Sequence, residues 1–196
     1  LLTKKAGCKS LAFFLIYFMK LTTEQFLDYE LNAGINADNP AFHELARLSI
    51  AELKEYNIQS VMDYGAGTGV YSQAAHLAGY DVSVYDIWKS HRDYIKQYFS
   101  HLKQIRKVKT TDAMLFIEVA EHMTDEELTK LMDSIKPRVI LFSSIPYKNP
   151  IFDAEWGHIN IKSEAAWDEF FSRYGYAVSK LVKYPTEWAR VYQKII

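Results

Sequence analysis

The stretch Ser60-Val61-Met62-Asp63-Tyr64-Gly65-Ala66-Gly67-Thr68-Gly69 decides the fold. A short apolar strand runs straight into glycines at alternate positions, and Val70 to Ala78 then reads as a helix stopped by Gly79. Gly65 and Gly67 permit a tight turn and leave bare backbone open to a ligand. Gly69 lets the following helix pack closely on the strand. An ordinary strand–turn–helix connection has no need of three such glycines directly after a strand acid.

Outward from this point the chain alternates. Asp81 to Asp86 is β-branched and alternating, a strand, and His91 to Leu102 is helical. Ala113 to Val119 is continuously apolar, as in a strand buried on both faces of a parallel sheet. Thr124 with Glu127 forms a capping box that opens a helix to about Ile135, and Arg138 to Ser144 is a second buried strand. Upstream, Thr22 or Thr23 caps a helix through Leu31, and Ala41 to Tyr56 is amphipathic. Downstream, Ser163 caps a helix to Tyr174 that turns Trp167, Phe170 and Phe171 inward. Strands Ala177 to Tyr184 and Trp188 to Ile195 then follow, joined too closely to be parallel. The expected class is α/β: a Rossmann-like, mostly parallel sheet with helices on both faces and an antiparallel C-terminal strand.

The 196 residues suit one domain, and 49% hydrophobic content is ample for one core. With 23 basic and 24 acidic side chains, a nucleic-acid partner is not expected; the basic run Lys103, Arg106, Lys107, Lys109 reads as a solvated helix end or loop. A single cysteine, Cys8, excludes an intrachain disulfide and points to a reducing, cytoplasmic setting. Leu11 to Met19 is an apolar run after Lys4, Lys5 and Lys9 that mimics a signal peptide, yet it is too short to span a bilayer and no small-residue cleavage site follows. Residues 1–18 read as upstream sequence outside the fold, with Met19-Lys20-Leu21-Thr22 as the natural start and 19–196 as one domain; a membrane anchor is the competing reading.

Ligands of such sheets sit beyond the carboxyl ends of the strands. A dinucleotide site carries G-x-G-x-x-G, whose open helix N-terminus holds a pyrophosphate. Here the spacing is G-x-G-x-G, and Asp63 before it repels pyrophosphate but can accept hydrogen bonds from an amino group, as S-adenosylmethionine carries. Asp86, closing the next strand, is placed to accept both ribose hydroxyls of an adenosine ligand.

VMDYGAGTG resembles motif I of the class I S-adenosylmethionine-dependent methyltransferases. VSVYD resembles the acidic strand end that follows it there, and FIEVAEHM (Phe116 to Met123) resembles their EVLEH segment. The resemblance covers about residues 41–196. It implies S-adenosylmethionine as cofactor, with Asp63, Gly65 and Gly67 around its methionine part and Ala66 among the loop contacts. It further implies Asp86 on the ribose, Ile87 or Trp88 by the adenine, and Glu118 at the cofactor's edge of the pocket. The family's third strand ends in an acid that meets the adenine; here only Lys103 to Asp112 fills that interval, so the third strand is expected to be reduced and that contact is in doubt.

Methyl transfer from a sulfonium needs alignment and, for a hydroxyl acceptor, a proton acceptor. His122 is one candidate catalytic base; the other reading is that Glu121 and His122 only steady the helix at Thr124. Glu155-Trp156-Gly157-His158-Ile159-Asn160 is expected to be a loop over the sheet's carboxyl edge, where the resemblance implies acceptor-binding residues. His158 is a second catalytic candidate, with Trp156, Asn160 and Tyr147 as acceptor-side residues and Asp153 on weaker grounds, against a reading of His158 and Trp156 as core. No metal site is expected, because His122, Glu118, His158 and Asp153 make no close ligand pair on one helix. Ser144-Ile145-Pro146-Tyr147 weakly resembles the Asn/Asp-Pro-Pro-Tyr element of amino-group DNA methyltransferases, but it follows the fifth strand and lacks the second proline. The expected activity is methylation of a small-molecule oxygen or nitrogen. Alternatives on the same scaffold are a lyase-like enzyme that consumes the cofactor and an inactive cofactor-binding module.

Overall fold

Along each central strand the side chains alternate between two buried layers, and this alternation is what holds helices on both faces. A computed structural model describes residues 22–195. The readings of residues 1–18, Met19 and Cys8 lie outside the described residues. In order, the elements are α1 (Thr23–Asn32), α2 (Pro40–Ala51), β1 (Ser60–Tyr64), α3 (Val70–Leu77), β2 (Asp81–Tyr85), α4 (Lys89–Tyr98) and β3 (Lys103–Gln104). Then come β4 (Ala113–Ile117), a 3-10 turn (Ala120–His122), α5 (Asp125–Ser134), β5 (Val139–Ser143), α6 (Pro150–Trp156), α7 (Glu164–Ser172), β6 (Tyr176–Leu181) and β7 (Arg190–Lys194).

The seven strands run in the order β3-β2-β1-β4-β5-β7-β6. All pairs from β3 to β5 are parallel; β7 lies antiparallel between β5 and β6. The sheet is therefore the expected α/β Rossmann-like type, with β7 as its antiparallel strand. The third strand is reduced, as expected: β3 is two residues long, pairing Lys103 and Gln104 with Ser83 and Val84. The basic residues Arg106 and Lys107 that follow are exposed.

One face carries Val61, Val82, Val84, Leu115, Leu141 and Val191 against α2, α3 and α4, through Ile50, Ala74, Ala75 and Ile95. The other carries Met62, Met114, Phe116, Ile140, Phe142 and Tyr192 against Leu128, Leu131 and Met132 of α5 and Trp167, Phe170 and Phe171 of α7. Burying each large apolar side chain contributes about 1.5–3 kcal/mol relative to exposure. On the second face Arg190 donates to both Asp168 oxygens at 2.8 and 2.9 Å, and Tyr192 Oη donates to Asp168 Oδ1 at 2.7 Å, so the one cation buried in β7 is paired from α7.

Apart from strand ends, which shift by one to three residues (β4 ends at Ile117, β6 at Leu181, and β7 spans Arg190–Lys194), three helical readings differ from expectation. The second helix stops at Ala51 and gives way to turns before Tyr56; α4 spans Lys89–Tyr98 instead of His91 to Leu102; and 150–156, expected as loop, is helical. Asn149 caps that helix by accepting from Phe152 N–H, Pro150 sits at its first position and Gly157, at φ 71°, ends it left-handed. No described helix is long and apolar enough to cross a membrane.

Candidate functional site

β1 ends at Tyr64, and the chain turns into α3 through Gly65 (φ 72°), Gly67 (φ 52°) and Gly69 (φ 80°), a region that side chains other than glycine's rarely adopt. The N–H groups of Gly65 and Ala66 donate to Tyr85 O at 2.8 and 3.1 Å, tying the loop to the end of β2. A Cβ on Gly65 would fall 2.7 Å from Val119 Cγ2, so the loop lies hard against the exit of β4. On Gly69 it would fall 2.8 Å from Ile95 Cγ1; this glycine makes room for α4, not for closer packing on its own strand.

Asp63 is buried below the loop, where its Oδ2 accepts from Ser72 Oγ–H at 2.6 Å. Burial raises its pKa to about 7. Its carboxyl is not on the wall of the cavity described below, nor is Ala66. Asp86 is on that wall. Its Oδ2 accepts from Gly67 N–H at 3.0 Å and its Oδ1 from Trp88 N–H at 2.8 Å, while burial pushes its pKa upward.

The cavity measures about 660 Å³ and opens at the carboxyl ends of β1, β2 and β4. Gly65 and Gly67 form part of its wall, together with Asp86, Ile87, Trp88 and Glu118. Val108, from the segment after β3, also contributes. α1 covers it. Phe26 stacks edge-on against Trp88 (4.9 Å between ring centroids), His122 (5.6 Å) and Trp156 (6.0 Å). Glu30 reaches in beside Gly67, with its Oε2 2.6 Å from His91 Nε2. Sequence reasoning missed Phe26, Glu30, His91 and Trp188, because each gains its place only from tertiary packing.

The far end of the cavity is polar. Glu118 holds φ 51°, a left-handed conformation rare for a residue with a side chain, and its carboxylate accepts from Ser143 Oγ–H and from Trp188 Nε1–H at 3.3 Å. Glu121 is fully buried on the wall, and neither carboxylate oxygen has a hydrogen-bond partner among the described residues. Burial, then the neighbouring charge of Glu118, raises its pKa well above the carboxylate range. Thr124 and Glu127 cap α5 on their own, so neither Glu121 nor His122 serves as that cap.

His122 faces Gly157 O with Nδ1 at 3.3 Å, and burial followed by the charge of His158 lowers its pKa to about 4. His158 lies with its ring 4.9 Å from that of His122, and its Nδ1 is 3.1 Å from Asp153 Oδ1. The loop holding His158 is pinned by the N–H groups of Ile159 and Asn160, both donating to Glu121 O. Tyr147, Trp156 and His158 are on the cavity wall. Asn160 is not: its amide donates to Met123 O and Asp125 Oδ1, fastening the loop to the start of α5.

The expectation of no metal site rested on spacing along the chain. Folding brings together one ligand atom each from Glu121, His122 and His158, all within 4.8 Å of one another. A second cavity of about 800 Å³ lies around Asn57, Arg138 and Lys180 at the opposite ends of the strands. Of the cations on its wall, Arg138 pairs with Asp112 and Lys180 with Glu52 and Glu55, while Lys194 donates to Tyr174 O.

No family model matches the sequence, and no curated protein matches it either. Solved structures do match in fold. The pyocyanin biosynthetic protein PhzM is 16% identical with a TM-score of 0.58, over 79% of this chain and 56% of that one. Magnesium protoporphyrin IX methyltransferase (ChlM) from Synechocystis, solved with bound SAM, is 15% identical with a TM-score of 0.59, over 96% and 92%. Human N-acetylserotonin methyltransferase in complex with SAM is 13% identical with a TM-score of 0.61, over 88% and 56%. The chain thus spans little more than half of PhzM and of the human enzyme, and nearly all of ChlM. It has the class I methyltransferase fold.

Proposed function

We propose that the chain binds S-adenosylmethionine at the glycine loop and transfers its methyl group to an oxygen or nitrogen of a small molecule. The observation that carries this reading is the cavity itself. Bare backbone at Gly65 and Gly67 meets the Asp86 carboxylate at one end, and the polar cluster of Glu118, His122 and His158 stands at the other. Gly65 and Gly67 both lie on the cavity wall, where backbone without side chains gives the cofactor room to approach, and packing against Val119 and Glu30 holds the loop in that shape. Asp86 keeps lone pairs for ribose hydroxyls while its backbone bonds fix its rotamer. Trp88 and Ile87 flank the adenine side, and Asp63 supports the loop from below. When bound, the cofactor supplies an electrophilic methyl group.

The chain's own part is to orient the acceptor and take its proton. His158, whose Nδ1 is held by Asp153 and which lines the cavity, is the proton acceptor in this reading through its other ring nitrogen. His122 is neutral at pH 7 and a weak base, and helps to position the acceptor. Phe26, Trp156 and Tyr147 give that end an aromatic wall suited to a small, partly apolar acceptor.

Incubation with S-adenosylmethionine and a panel of phenols, alcohols and amines tests the reading. S-adenosylhomocysteine formed only with an acceptor supports it. Methylthioadenosine, or unchanged cofactor across the panel, counts against it. His158→Ala is expected to lower turnover while sparing cofactor affinity.

A further inference from the structure

We infer that Glu121, His122 and His158 bind one divalent first-row transition-metal ion at the polar end of the cavity. The three ligand atoms lie within 4.8 Å of one another, close enough for a single ion to be shared after small side-chain adjustments. Both rings are already set for ligation. His122 gives its Nδ1 side to Gly157 O and His158 gives its Nδ1 side to Asp153 Oδ1, so each Nε2 is left with a free lone pair. A histidine held through its second nitrogen by a carbonyl or carboxylate is the usual arrangement around a metal.

Glu121 supplies the independent observation. A carboxyl group that is fully buried with neither oxygen closing a well-formed hydrogen bond is costly in a folded protein and calls for a partner; beside it lie the Glu118 carboxylate and the Ser144 hydroxyl, the latter itself unpartnered among the described residues. The backbone around it is built to hold it in place, because its carbonyl receives two N–H groups from the His158 loop. The same bonds tie the segment that carries the carboxylate to the one that carries the second imidazole.

The donor set selects the ion. Two imidazoles and one carboxylate suit zinc, manganese, iron or cobalt, whereas magnesium and calcium prefer sites made of oxygen alone. Three protein ligands leave further positions open toward the cavity. Ligation and proton acceptance are exclusive at His158, so an ion here would replace the base role given to that ring above. The ion site stands on its own residues and does not require the methyl-transfer reading.

Titration of the chelator-treated full chain with zinc, cobalt or manganese chloride, followed by calorimetry, tests the site, with magnesium chloride as the contrast. One zinc or cobalt ion per chain is expected, with magnesium far weaker, and cobalt should develop visible absorption. Glu121→Gln should abolish this uptake while keeping or raising the melting temperature of the metal-free protein, because it replaces a buried acid by a neutral amide. Asp153→Ala should weaken uptake about 10- to 100-fold. Absence of stoichiometric uptake, or equal uptake by the wild type and Glu121→Gln, would overturn the inference. S-adenosylmethionine affinity measured on the same metal-free samples reports on the glycine-loop reading separately.

Discussion

Glu30 of α1 and His91 of α4 meet at 2.6 Å, almost wholly buried, beside Gly67 of the glycine loop. Burial pulls the His91 pKa down, but the hydrogen bond and charge of Glu30 and the charge of Asp86 more than offset it, and His91 titrates above the usual histidine value. The pair couples the covering helix to the wall that carries Asp86. Glu30→Ala leaves a buried imidazole without its partner and is expected to cost roughly 1–3 kcal/mol. Thermal melts check the stability, and calorimetry should show weaker cofactor binding from the loosened cover.

Gly65→Ala should be more damaging than its single methyl suggests. The new Cβ would sit 2.7 Å from Val119 Cγ2 at a backbone angle of φ 72°. The loop must move, or Val119 must, and cofactor affinity should fall about tenfold or more. Adding Val119→Ala should restore only part of the loss, since the contact is relieved but the backbone strain remains.

Asp86→Ala removes the acceptor of two backbone N–H groups and of the proposed ribose contact. Charge-assisted bonds of this kind contribute about 1.5–3 kcal/mol, so affinity should drop about 10- to 100-fold. Unaltered calorimetric binding would refute the ribose contact.

Asp63 gives a pH signature. Its folded pKa of about 7 lies above the unfolded value of 3.8, so the folded state holds the proton more tightly. The contribution is fully present below about pH 4 and is lost as pH rises through about 7. Asp63→Asn keeps an acceptor for Ser72 Oγ–H and has no charge to bury. The variant should match the wild type near pH 4 and melt higher than it at pH 8.

The parts of the molecule legible in the sequence are those whose signals are local. β1 begins and ends at Ser60 and Tyr64 as read, because glycines stop it, and the Thr124–Glu127 capping box forms as written. α6 was hidden because its seven residues bury no side chain and so carry no apolar periodicity, although Asn149-Pro150 and Gly157 held its end signals. Glu121 looked like part of a polar helix start; its complete burial arises only when the His158 loop closes over it. Asn160 had the chemistry of a ligand contact, but three polar neighbours claim its amide: Met123, Asp125 and Lys162.

The cover of the cavity also has a history in time. Tyr29 Oη bonds Glu155 Oε2 across 126 residues of chain, and the Tyr29 ring meets Trp156 at 4.6 Å. During synthesis α1 leaves the ribosome first, yet it has nothing to rest on at that end until the segment around Trp156 has emerged. A nascent chain that stops short of α6 therefore has Trp88 and His122 against Phe26 but lacks Trp156, and the trough stays open on that side. The roof of the site is the joint product of an early and a late segment, and the enclosed pocket is completed only late in translation.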